Sequence, residues 1–277
     1  MTRLDTLLVE KGFAVSRKRA KELIESGLVT INGKTETKAA KEYAEDIEIA
    51  VTGVVCRYVG RGGLKLEKAL TEFVITLENS VCLDIGASTG GFTDCMLQHG
   101  AKKVYAVDVG HGQLDGRLLS DERVINLEGV NFREVEKDFL LEQVDFISVD
   151  VSFISLTLIL PKAALFLKEK GKAVLLIKPQ FEAGRENIGK NGIVKSKKAH
   201  KAVLDKISQY IVDDINWVLN DIIVSPVKGG SGNIEYLAYV ECCNDDKLYK
   251  DNDMKASCKV INIDTAEIVN NAFLRME

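Results

Sequence analysis

The stretch 81–94, VCLDIGASTGGFTD, constrains the fold of this 277-residue chain more than any other. Val81, Cys82, Leu83 and Ile85 form a short apolar run with β-forming character. Gly86 to Gly91 follows with three glycines and two hydroxyl residues in six positions, which reads as a tight turn. A helix then starts near Gly91 or Phe92, runs through Cys95, Met96 and Leu97, and ends at Gly100. Backbone N–H groups at such a helix start are free to bind a ligand, while Phe92 reads as a core residue of the helix.

The next apolar run, Val104 to Val107, ends in Asp108, 22 positions beyond Gly86. A carboxylate ending the second strand at about that distance is where doubly wound folds grip a ribose. The spacing Gly86-x-x-x-Gly90-Gly91 is not the G-x-G-x-x-G that cradles a pyrophosphate. An acid at Asp84 repels a diphosphate and suits a cationic amino group. Both features favour S-adenosylmethionine over NAD as the ligand.

Beyond this motif the α/β alternation continues. Strands are expected at Val124 to Leu127, Val144 to Val149 and Ala173 to Ile177, with a helix from about Leu158 to Leu167. A loop from Phe181 to Gly192 leads into a lysine-rich helix from Ser196 to about Val212, and strands at Val218 to Ser225 and Ile234 to Cys242 complete the sheet. The residues 260–273 read as a closing strand and helix, with no function assigned to 245–277. This pattern implies an α/β class with a Rossmann-like, mostly parallel, doubly wound sheet whose ligands sit at strand carboxyl ends. Asp150 and Lys178 stand at two of those ends.

The N-terminal region has a different grammar. Leu4, Leu7 and Leu8 recur at helical spacing, and Ser16 caps a second short helix ending at Gly27. Leu28 to Ile31 reads as a strand, Asn32-Gly33 as a hairpin signal and Asp46 to Ile49 as the return strand. With Ala20, Leu23 and Ile24 inward, Arg17, Lys18 and Lys21 lie outward, where a phosphate backbone can be gripped. The pattern R-L-D-x-x-L, then G, then S-R-x-x-A-x-x-x-I-x-x-G-x-V-x-I-N-G, from Arg3 to Gly33, closely resembles the RNA-binding module of the fourth ribosomal protein of the small subunit. The domain organisation expected is therefore a small α+β RNA-binding domain over 1–56, a glycine-rich linker over 57–63 and a second domain over 64–277.

Net charge is only −4, but its distribution is uneven. From Lys11 to Lys41 there are eight Lys or Arg against three Glu, and from Lys178 to Lys201 seven against two. Two basic segments suit a polyanionic partner. The six cysteines show no C-x-x-C pair and no framework spacing, so reduced thiols in a cytoplasmic protein, and no metal, are expected. The start, MTRLDTLLVEKG, is punctuated by charge, and the longest apolar stretch is broken by Pro161 and Lys162, so neither export nor membrane insertion is expected.

Four charged residues stand in motifs that decide the reading. RGGLKL around Lys65, SVDVSFISL around Asp150, LIKPQFE around Lys178 and GNIEYL around Glu235 resemble, in order and spacing, the four motifs of the TlyA family, relatives of the FtsJ-type 2′-O-ribose methyltransferases. The resemblance covers essentially the whole chain. It implies methyl transfer from S-adenosylmethionine to the ribose 2′-hydroxyl of a cytidine in ribosomal RNA, with ribosomal RNA or ribosomal subunits as partners and no obligate protein partner. Lys65, Asp150, Lys178 and Glu235 would form a catalytic tetrad, with Lys178 as general base or hydroxyl orienter. In the same reading Asp84 and the loop Gly86, Ala87, Ser88, Thr89, Gly90 and Gly91 hold the methionine end of the cofactor, and Asp108 holds the ribose hydroxyls. RNA would be met by Arg3, Arg17, Lys18, Lys21, Arg57, Arg61, Arg185 and Lys190. The alternatives are a non-catalytic RNA-binding or ribosome-assembly factor, against which the intact tetrad and cofactor loop argue, and a membrane-active haemolysin, against which the lack of a spanning segment argues.

Overall fold

The structure, a computed structural model, describes residues 1–14, 16–52, 57–242 and 263–276. Its contacts divide it into two units, Met1–Arg57 and Tyr58–Glu277. The glycine-rich stretch 57–63 falls on both sides of that division, and Tyr58 is buried in the second unit.

The first unit runs β1 (Thr2–Arg3), α1 (Leu4–Glu10), α2 (Arg17–Glu25), β2 (Val29–Ile31), β3 (Lys34–Thr35), β4 (Glu42–Tyr43) and β5 (Ile49–Val51). The Ser16 hydroxyl accepts from the Arg19 N–H at 3.2 Å and caps α2, satisfying one of the donors that a helix start leaves open. Leu4 and Leu8 from α1 meet Ala20, Leu23 and Ile24 from α2 over Val29 and Ile31, which form the core of this unit. Asn32 and Gly33 both take positive φ, 48° and 75°, as a two-residue hairpin turn of the type matched to strand twist requires. That tight turn returns the chain at once through Lys34–Thr35, so the expected return strand at Asp46 to Ile49 is displaced. The other neighbour of β2 is Ile49–Val51, in register Ile31↔Ile49.

The second unit continues with α3 (Gly62–Glu72), β6 (Val81–Ile85), α4 (Gly91–Gln98), β7 (Lys103–Asp108), α5 (Gly116–Leu119), β8 (Val124–Glu128), β9 (Val144–Val149), α6 (Leu160–Ala163), β10 (Leu167–Ile177), α7 (Pro179–Glu182), α8 (Lys197–Asp213), β11 (Trp217–Val224), β12 (Tyr236–Cys242) and α9 (Thr265–Met276). Seven strands form one sheet in the order β11-β12-β10-β9-β6-β7-β8. Pairing is parallel from β10 to β8, and β12 runs antiparallel to both neighbours. Every residue of β6 is buried, as a central strand covered on both faces demands.

The expected helix from Leu158 to Leu167 is not a single helix. A 3-10 turn over Leu156–Leu158 precedes the short α6, in which Pro161 occupies the first turn. From Leu167 the chain is already strand, with a register shift against β9 between Leu167 and Lys172. The expected closing strand near Val260 lies outside the described residues, whereas the closing helix is α9.

Chain order places the site. The sheet is built outward from β6 through β7 to β8, then returns to lay β9 on the other side of β6. Loops leaving β6 and β9 therefore diverge to opposite sides and open a crevice at their carboxyl ends. The Asp150 N–H donates to the Ile85 carbonyl at 2.9 Å, which ties the two strand ends together at the floor of that crevice.

Candidate active site

Two cavities adjoin at the crevice. The larger, about 520 Å³, is lined by Gly86, Ser88, Asp108, Val130, Phe132 and Phe153 among others. The smaller, about 260 Å³, is lined by Arg61, Lys65, Thr89, Phe92, Lys178 and Gly229 among others. Gly86, Ser88, Asp150 and Ser152 belong to both linings, so they form the wall between them.

Gly86 is required there. Its φ is +88°, and a Cβ would collide with the Asp150 carbonyl oxygen, so only glycine lets β6 leave the sheet against the end of β9. Asp108 closes the other side of the larger cavity. One carboxylate oxygen accepts from the Ser88 N–H at 2.8 Å and the other from the Gly110 N–H at 2.7 Å, which fixes the acid at the cavity edge. Each oxygen retains a lone pair for a hydroxyl. Farther out, Glu128 accepts from the N–H groups of Gln113 and Leu114 at 2.6 and 3.1 Å and shapes the loop beyond Asp108.

Asp84 is placed differently from the sequence expectation. It is fully buried and lines neither cavity. Its carboxylate accepts from Thr93 Oγ1 at 2.6 Å and Ser148 Oγ at 2.9 Å, so it braces α4 and β9 behind the glycine loop. Loss of water pushes its carboxyl up to about 6, against the two hydroxyls that hold it down. Its position in the middle of β6, whose residues are all buried, is the reason: alternation turns the side chain into the layer beneath α4.

Of the loop residues, Ala87, Thr89 and Gly91 line the smaller cavity and Gly90 lines neither. Gly91 lies against Gly60 and Gly62, so the backbone of the RGGLKL motif rests directly on the start of α4. That contact brings Lys65, on α3, to the smaller cavity.

Lys65, Asp150, Lys178 and Glu235 form two ion pairs. Lys65 Nζ lies 2.5 Å from Glu235 Oε2, and Lys178 Nζ lies 2.6 Å from Asp150 Oδ1. Glu235 is 2% exposed, and both lysines are 8% exposed. Lys178 also donates to Ser152 Oγ at 2.9 Å, and its ammonium stands 5.9 Å from the centre of the Phe181 ring. Sequence reasoning did not single out Ser152; it stands inside the SVDVSFISL motif, but nothing in its spacing marks a hydroxyl that meets Lys178. Glu182, at the end of LIKPQFE, was missed too. It is buried and accepts from Leu156 N–H at 2.7 Å and Ser155 Oγ at 2.6 Å, tying the loop after β9 to α7.

The expected RNA-contacting residues differ in their surroundings. Arg3 and Arg17 both reach the buried Asp5, at 2.9 and 3.1 Å, and hold its carboxyl well below the usual range. Lys18 is exposed, and Lys21 stands 3.6 Å from Glu25. Arg57 is exposed; Arg61 lines the smaller cavity; Arg185 begins a 3-10 turn and Lys190 occupies an exposed turn, neither lining the smaller cavity.

The FtsJ-like methyltransferase family model matches residues 58–241, and the S4 domain model matches residues 2–45. The 16S/23S rRNA (cytidine-2′-O)-methyltransferase TlyA of Mycobacterium tuberculosis is 37% identical over 247 residues, 89% of this chain and 92% of that protein. The chain belongs to the TlyA family of FtsJ-like methyltransferases. Hemolysin A of Brachyspira hyodysenteriae is 44% identical over 238 residues, covering 86% of this chain and 98% of that one. A solved structure described as a hemolysin from Streptococcus thermophilus is 44% identical, covers 99% of this chain and 96% of that one, and superposes with a TM-score of 0.73. Among the described residues no helix is long and apolar enough to cross a membrane.

Proposed function

We propose that this protein transfers a methyl group from S-adenosylmethionine to the 2′-hydroxyl of a cytidine ribose in ribosomal RNA. The observation that carries the proposal is the Lys178–Asp150 pair, whose carboxylate stands on the wall common to two adjoining cavities. One cavity suits the cofactor and the other an acceptor nucleotide. The larger has the chemistry of a nucleoside site: apolar walls from Val107, Val130, Phe132 and Ile159 for a purine, and the Asp108 carboxylate for ribose hydroxyls. When bound, the cofactor supplies an electrophilic methyl on a sulfonium centre.

The task left to the protein is to aim a weak nucleophile along one line and to manage its proton. Lys178, held by Asp150 and Ser152, stands at the acceptor side and in this reading orients the incoming hydroxyl or, as the neutral amine, takes its proton as the oxygen accepts the methyl. Lys65 lines the acceptor cavity and is held by the buried Glu235, so in this reading it keeps a second cation near the ribose. The S4 domain, with Arg3, Arg17, Lys18 and Lys21, grips the phosphate backbone and carries no base information of its own.

The test is methyl transfer from labelled S-adenosylmethionine to isolated small and large ribosomal subunits, with native protein and Lys178→Ala in parallel. Label at an alkali-resistant ribose-methylated dinucleotide, seen only with native protein, is the expected result. No label on either subunit, with cofactor binding intact, would turn the reading to a non-catalytic RNA-binding factor.

A further inference from the structure

The exposed turn that carries Lys190 is fastened to the segment that carries Glu235. The turn closes on itself, with Gly189 N–H donating to Ile193 O at 3.0 Å and Gly192 N–H donating to Gly189 O at 2.9 Å. Asn233, two residues before Glu235, reaches it with both ends of its amide: Oδ1 accepts from Val194 N–H at 3.0 Å and Nδ2 donates to Gly192 O at 2.9 Å. The backbone oxygen of Asn233 accepts from Gly229 N–H at 2.9 Å, so the amide is set by the fold of the β11–β12 connection itself.

His200, on α8, completes the attachment. Its Nε2 is 2.8 Å from Val194 O, and its Nδ1 is 2.8 Å from the Tyr236 hydroxyl. A carbonyl only accepts, so Nε2 carries the proton and Nδ1 accepts from Tyr236 O–H. Asn233, His200, Tyr236 and Val194 are 1%, 0%, 0% and 3% exposed. Both polar ends of Val194 are therefore held by buried side chains that have no water to turn to instead. On the other side of the same segment, Glu235 holds Lys65, and its carboxylate lies against Gly229, where any Cβ would collide with it.

We infer that Asn233 and His200 are positioning residues that dock the Lys190 turn on the Glu235 segment, so that a cationic turn and the acceptor cavity receive one RNA strand in a single geometry. The inference rests on the RNA-methyltransferase reading. An exposed turn is otherwise free to choose its position, and here Asn233 holds Gly192 O and Val194 N–H while His200 holds Val194 O, which ties the turn to the segment whose Glu235 holds the cavity-lining Lys65.

The experiment is steady-state transfer to isolated ribosomal subunits by native protein, Asn233→Ala, His200→Phe and Tyr236→Phe, with the stoichiometry and Kd of S-adenosylmethionine binding measured on each. His200→Phe keeps the ring contacts and removes both hydrogen bonds; Tyr236→Phe removes one hydroxyl and leaves both bonds to Val194. The expected result is a fall in kcat of at least tenfold for Asn233→Ala and His200→Phe, with cofactor stoichiometry near one, its Kd within twofold of native, and kcat of Tyr236→Phe within threefold. If Asn233→Ala does not fold, His200→Phe decides. Unchanged kcat in the folded variants overturns the inference while leaving the functional reading intact, and so does an equal fall in Tyr236→Phe, which marks a general packing role. Native protein that transfers no methyl group overturns the functional reading, and the positioning role with it.

Discussion

The ammonium of Lys65 lies 2.5 Å from the Glu235 carboxylate, across 170 residues of chain. With side chains 10% and 2% exposed, both charges are largely withdrawn from water. Removing one partner of such a pair strands the other and costs about 3–5 kcal/mol, whereas replacing both by apolar residues of similar size costs little. Lys65→Met and Glu235→Leu are each expected to lower the unfolding free energy by about 3 kcal/mol, and the double variant by less than either, while all three lose methyl transfer. Denaturant unfolding of the four proteins checks the stability, and transfer to ribosomal subunits checks the activity.

Ser152 accepts from Lys178 at 2.9 Å on the wall between the two cavities. Loss of a hydrogen bond to a charged group is worth about 1.5 kcal/mol at an exposed site. Ser152→Ala is expected to reduce kcat about tenfold, with cofactor affinity changed less than threefold. Single-turnover transfer beside calorimetric cofactor binding separates the two.

The buried acid Asp84 makes stability depend on pH in a defined window. Its carboxyl is raised to about 6 from an ordinary 3.8, so the folded protein retains a proton that the unfolded chain has already released between those values. The stability from this group is fully present below about pH 4 and is lost as pH rises through about 6. About two pKa units correspond to about 3 kcal/mol. Asp84→Asn lacks the titration, so its unfolding free energy relative to native protein is expected to rise by about 3 kcal/mol between pH 4 and 7, read from denaturant melts at each pH.

Gly86→Ala is expected to destabilise the protein by about 2 kcal/mol or more, because a side chain at positive φ is strained and the added carbon strikes the end of β9. Cofactor affinity falls with it. A variant that binds S-adenosylmethionine as native protein does would contradict the role given to this turn.

On the first unit, Lys18 is exposed, while Arg3 and Arg17 are held on Asp5. Lys18→Ala is expected to reduce the slope of log affinity for RNA against log salt by about 0.7–0.9, the share of one phosphate contact, without loss of stability. Arg17→Ala reduces the slope and also destabilises the unit, since it leaves a buried acid less well held.

Local chemistry was legible in the sequence. The run Val81 to Gly91 wrote its own strand, turn and helix, because β-forming residues, glycines and a helix start leave one choice each. Ser16 announced α2, and Asn32-Gly33 announced a hairpin, although the hairpin's true partner strand is Lys34–Thr35. The four charged residues were picked out through family motifs, and although they lie far apart in the chain they stand in two ion pairs, Lys65 with Glu235 and Lys178 with Asp150. What only the tertiary structure decided is where each side chain faces. Asp84 sits next to the glycine turn in sequence, yet the alternation of a strand covered on both faces turns it inward, to Thr93 and Ser148. Ser152 and Asn233 have no local signature because their hydrogen bonds are made to residues 26 and 39 positions away. A side chain's periodicity records which face of its own element it occupies, whereas the partner it meets is set by the order in which the strands are laid into the sheet.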